Sequence, residues 1–125
     1  MSITPEILKK RTFEFALQTL RVVDGLKKSN ANDVMGKQLI RSATSVGANY
    51  RAACKAKSTA DFINKLKIVE EESDESVYWL QLIKAYNEIS SLKFESVLKE
   101  SQELEKIFAA SAITAKNNRS KQNQL

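Results

Sequence analysis

The sequence predicts an all-α chain, folded as an antiparallel up-down-up-down four-helix bundle. Three observations carry that prediction. The 125 residues include only 3 Gly and 1 Pro, too few turn residues for a many-stranded sandwich or barrel. Apolar residues recur with a helical period over four long stretches. Short polar segments rich in capping residues separate those stretches. The length suits one domain with one modest core.

The first helix is expected from Pro5 to about Lys28, with Thr4 as its cap and Pro5 in the first turn, where a missing N–H costs nothing. Leu8, Phe15, Thr19, Val23 and Leu26 share its apolar side. Residues 29–33 read as a connection, and Asn32 or Asp33 would start the second helix, about Val34 to Lys57. Its inward face carries Leu39, Ile40, Ala43, Val46, Gly47, Tyr50, Ala53 and Cys54, several of them small enough to let a neighbouring backbone come close. Ser58 reads as the next cap, with Asp61 in the place of a capping-box acid. The third helix would run from there to about Asn87, burying Phe62, Leu66, Val69, Ser73, Val77 and Leu80. The fourth, about Leu92 to Ala115, would bury Phe94, Val97, Leu98, Leu104, Ile107 and Phe108. The bundle thus spans residues 1–116. Residues 117–125 hold one apolar side chain and form a polar tail expected to be disordered.

The chemical inventory is that of a binder and not of an enzyme. There is no His, which removes the commonest general base and the commonest metal ligand. The lone Cys54 has apolar neighbours and no base in reach, so it reads as a buried, inert thiol. Five carboxylates lie within Glu70–Glu75, but a helix spreads them around its circumference, so no metal site and no cofactor are expected. Glu75 or Glu71 is instead expected to pair an arginine of the first two helices. No apolar run reaches the ~20 residues of a membrane span and no signal-peptide core is visible, so no membrane partner and a cytoplasmic location are expected.

The formal net charge is +5, and it is unevenly placed. Residues 1–60 carry a balance of +7 and residues 61–125 one of −2. On the second helix Arg41, Arg51 and Lys55 each fall within about 40° of Lys37, and the four form a stripe roughly 27 Å long. Ser42, Ser45 and Asn49 form a compact polar sector near the core boundary. On the first helix Lys10, Arg21 and Lys28 share a face by the same arithmetic. Such a surface fits RNA or DNA, each cation neutralising a phosphate and releasing counterions. The competing reading is an ordinary solvated face, with some cations pairing the acids of the third helix. Tyr78 and Trp79 suit core or subunit interface better than base stacking.

Stretches of the second and third helices carry a resemblance. Arg41-Ser42-Ala43-Thr44-Ser45-Val46, continuing to Asn49-Tyr50-Arg51-Ala52-Ala53, resembles the signature of the four-helix bundle family encoded in 23S rRNA intervening sequences. Asp61-Phe62-Ile63-Asn64-Lys65-Leu66 and Asp74-Glu75-Ser76-Val77-Tyr78-Trp79-Leu80 resemble one branch of it. The resemblance spans about residues 5–115. It implies a homo-oligomer, a ring of five subunits. It also implies a buried polar network with subunit contacts at Arg41, Ser42, Ser45, Asn49 and Glu75. The family is similar to the accessory protein of diversity-generating retroelements, which binds nucleic acid and a reverse transcriptase. A protein-interaction scaffold, for example for a reverse transcriptase, is therefore the alternative to direct nucleic-acid binding. Where commoner members of the family end this stretch Asn-Ile-Ala-Glu-Gly, the present chain has Asn49-Tyr50-Arg51-Ala52-Ala53, the acid lost and a cation gained.

Overall fold

Four helices, α1 (Pro5–Asp24), α2 (Asn30–Cys54), α3 (Thr59–Asn87) and α4 (Leu92–Asn123), make up the computed structural model, which describes residues 3–123. Each helix packs on the next and α1 closes on α4, so the chain runs up and down as a four-helix bundle. Among the described residues there is no strand. Four Ser or Thr side chains mark the starts. Thr4, Ser29 and Ser58 accept from the N–H three residues on, at 3.2, 3.1 and 3.1 Å, and Ser91 does the same for Phe94 at 3.2 Å. Each satisfies one of the N–H groups a helix start leaves without a partner.

Four boundaries differ from expectation. α1 stops at Asp24, because Gly25 closes it by donating back to Arg21 and Val22, and Lys28 therefore lies in a connection. Ser29 and not Asn32 caps α2: the Asn32 amide is already committed, donating to the Lys27 carbonyl at 2.8 Å and to Asn87 Oδ1 at 3.0 Å. α2 ends at Cys54, three residues early, and this places Cys54 in an exposed last turn. The thiol is thus not buried. α4 does not end at Ala115 but continues to Asn123, with every side chain from Lys116 to Asn123 exposed. Gln124 and Leu125, the end of the expected tail, lie outside the described residues.

The core holds most of the expected residues. Leu39, Val46, Val69, Leu80, Ile83 and Phe108 have no exposed surface. Phe62, Val77 and Ile107 are half-buried at its edge. Buried polar side chains bond within their own turns: Thr12 donates to the Leu8 carbonyl, Thr19 to Phe15 and Ser73 to Val69. The left-handed Glu88 (φ 53°) ends α3, and its own N–H and that of Ile89 return to the Lys84 carbonyl.

α1 and α2 meet closely at two glycines. A Cβ on Gly47 would stand 3.1 Å from Thr12 Oγ1, and one on Gly36 would stand 2.9 Å from Val23 Cγ1. Thr12 has nowhere to go, being fully buried with its hydroxyl on the helix backbone. Gly47→Val should lower stability by about 1–3 kcal/mol through overpacking, read from the urea midpoint. An unchanged midpoint would mean that α1 does not sit this close.

Candidate nucleic-acid interface

The side of α2 away from the core displays its cations because its other side is filled. Leu39, Ala43, Val46, Tyr50 and Ala53 turn inward, and with ~100° per residue this leaves Lys37 and Arg51 directed to solvent, while Lys55 follows as the residue that caps the end of α2. All three are exposed, and among the described residues no carboxylate lies within ion-pair distance of them. Arg51 leans toward α1, where it lines a 210 Å³ groove with Lys9, Phe13, Thr44 and Ala48. Phe13 in that groove is 62% exposed.

Arg41 does not belong with the other three. Its guanidinium lies 2.9 Å from Glu72 Oε2 and also pairs with Glu75. The cause is angular: Arg41 sits at the edge of the stripe nearest α3, and its side chain spans the α2–α3 seam to the acids opposite. The stripe of four is thus a row of three free cations and one bridging arginine. Glu75 takes the partner expected of it, joined by Glu72, while Glu71 and Asp74 stay exposed.

The polar sector divides similarly. Ser42 is fully buried, and Ser76 Oγ lies 3.0 Å from its hydroxyl, so the two join α2 to α3. Ser45 and Asn49 bond only their own helix, Ser45 donating to the Arg41 carbonyl and Asn49 to that of Ser45. On α1, Lys10 and Arg21 are exposed and share a side directed away from the core, whereas Lys28 has left that register.

Sequence reasoning missed two features. Arg11 clasps α4 from α1, with Nε 3.0 Å and Nη2 2.6 Å from the two oxygens of Glu100, and Glu103 at 3.3 Å. The Glu100 hydrogen bond raises the Arg11 pKa above its ordinary value, against the pull of burial. Partners 89 residues apart leave no local signal. The other feature is a line of exposed apolar groups on α3: Ile68, Tyr78, Leu82 and Tyr86. They fall within a sector of about 80°. Tyr78 lies edge-on to Trp79, ring centroids 5.0 Å apart, and the buried indole N–H of Trp79 has no partner among the described residues.

Other titrating groups lie at the end of the bundle near Cys54. Burial, and then the Cys54 thiol, push the Tyr50 phenol above its ordinary value. Lys65 and the Lys57 N–H hold the Asp61 carboxyl below the usual range. Among the described residues no group of three or more His, Cys, Asp or Glu side chains is placed to hold a metal ion. No described helix is long and apolar enough to cross a membrane.

The family model described as 23S rRNA-intervening sequence protein matches residues 6–110. A crystal structure from Bacteroides thetaiotaomicron VPI-5482, described as a protein with unknown function from the S23 ribosomal protein family, is similar at 38% identity and a TM-score of 0.75. That match covers 84% of this chain and 97% of the other. No curated protein matches.

The Arg41 bridge is half exposed, so its worth is modest. A double-mutant cycle on Arg41→Ala and Glu72→Ala should give a coupling of about 0.2–1 kcal/mol at low salt, shrinking as salt rises. Zero coupling at low salt would show that the pair does not form in solution.

Proposed function

The chain belongs to the family of 23S rRNA-intervening sequence proteins, and on that footing we propose that it is a non-enzymatic homo-oligomer, a ring of five subunits, that binds RNA or DNA through phosphates. The observation that carries the nucleic-acid part is the row of Lys37, Arg51 and Lys55, exposed and without acids in pairing range. Lys10, Arg21 and Lys28 extend the positive surface of the same hairpin. Arg41 contributes little to binding, because its charge is already answered by α3. Ring assembly repeats the row in every subunit, and simultaneous engagement turns weak contacts into useful affinity.

What supports self-association is the exposed strip of α3. Single exposed apolar side chains are ordinary, but Tyr78, Leu82 and Tyr86 on successive turns, beside an unanswered indole N–H, suit a subunit contact. The same strip favours a second reading, in which the ring is a scaffold that holds a protein partner such as a reverse transcriptase and meets nucleic acid only indirectly.

Binding of a single-stranded RNA without secondary structure should weaken as salt rises, by a log–log slope of about −0.7 per phosphate contacted. Replacing Lys37, Arg51 and Lys55 together by Ala should remove most of the affinity and flatten the slope, while Arg41→Ala leaves both near the parent values. Full binding by the triple variant would overturn the assignment and leave the scaffold. Light scattering should give a mass near five subunits, and Leu82→Glu should lower it. A parent monomer would refute the oligomer.

A further inference from the structure

We propose that the cavity at the end of the bundle formed by the α1–α2 and α3–α4 connections binds a phosphate monoester carried on a flat, largely apolar body. A mononucleotide and the 5′-phosphorylated end of a strand both have that chemistry. The choice of nucleic acid as its source rests on the polyanion reading above; the anion site itself does not. The cavity measures about 450 Å³, within the range of small-molecule sites. Arg21, Lys27 and Lys93 line it, no carboxylate does, and among the described residues none of the three cations is in an ion pair. Of the acids that adjoin lining residues in the sequence, Glu95 is already occupied, 2.6 Å from Lys84, and Asp24 and Glu88 are exposed outside the lining. Leu26, Ile89 and Phe94 supply apolar lining from both connections and the start of α4.

The charge count selects the ligand class. A carboxylate brings one negative charge, whereas a phosphate monoester brings about −1.5 to −2 at neutral pH with three acceptor oxygens. Three cations lining one cavity, one of them a guanidinium whose fork matches two phosphate oxygens, suit the monoester better. The apolar lining then faces the attached base or sugar.

This end of the bundle is also held in shape. Asn32 and Asn87 exchange amide hydrogen bonds at 3.0 and 2.9 Å. The Asn32 amide donates at 2.8 Å to the Lys27 carbonyl as well, and Asn87 donates to the Ile83 carbonyl at 2.9 Å. Asn32 is 5% exposed. The pair ties the α1–α2 connection, with Lys27 on it, to the last turn of α3, so two walls of the cavity keep a fixed separation before any ligand arrives. Binding then costs little ordering of the loop.

The test measures affinity for three probes: adenosine monophosphate, a short unstructured RNA with a 5′-phosphate, and the same RNA with a 5′-hydroxyl. The 5′-phosphate should improve RNA binding by about tenfold, roughly one full charge-assisted contact. Arg21→Ala and Lys93→Ala, both on exposed side chains, should abolish that advantage without altering the melting temperature. The triple Lys37, Arg51 and Lys55 variant should weaken both RNAs yet retain the ratio between them, which separates failure of this site from failure of the row on α2. Binding of adenosine monophosphate that is lost in Arg21→Ala, without a strand-end preference, also supports the site and identifies a free nucleotide as its ligand. Neither a 5′-phosphate preference nor mononucleotide binding, or a preference that survives both variants, overturns the proposal.

Discussion

The seam between α1 and α2 is the constraint on which the display of charge depends. Gly36 and Gly47 bring the helices together, with 2.9 and 3.1 Å left for any added Cβ, and this contact fixes how α2 is rotated about its axis. Rotation is decided by burial and not by ion pairs. Hiding one Leu or Val side chain stabilises by about 1.5–3 kcal/mol, and Leu39 and Val46 are completely hidden. A half-exposed pair such as Arg41 with Glu72 is worth roughly 1 kcal/mol or less. The cations therefore go where the seam leaves them: three face water, and the fourth falls within reach of α3.

That rotation also explains the division of labour along α2. Its inner edge toward α3 holds Ser42 against Ser76, a hydroxyl pair that fills little volume and leaves neither group without a partner. The preceding residue, Arg41, crosses the same seam from the helix surface to Glu72 and Glu75. Arg41 and Ser42 thus mark the α2–α3 contact, where size and hydrogen bonding are narrowly specified. Lys37 and Arg51, farther from that seam, and Lys55 at the end of α2 serve no packing purpose visible in the fold.

Helix number, order and most core residues could be read from the sequence, because a 3.6-residue apolar period, Thr4 with Pro5 and Ser58 are all local signals. Boundaries were harder. The start of α2 depends on Asn32 being spent on Lys27 and Asn87, and Asn87 is 55 residues distant. The end of α4 was read from hydrophobicity, yet residues 116–123 continue as helix without burying anything. At the interface, angular arithmetic found the stripe but could not tell which cation an acid on α3 would reach. The same gap hid the Arg11–Glu100 clasp and the basic cavity, since Arg21, Lys27 and Lys93 line one cavity only when two connections meet.

The central claim is that nucleic acid meets the protein on the solvent side of α2. Lysine side-chain resonances, followed while an unstructured RNA is added, test this directly. The account predicts that Lys37 and Lys55 shift first and saturate together, with Lys65 and Lys84, which are paired to Asp61 and Glu95, moving least. Undisturbed signals from Lys37 and Lys55 beside clear changes along Ile68–Tyr86 would contradict it and make α3 the working surface.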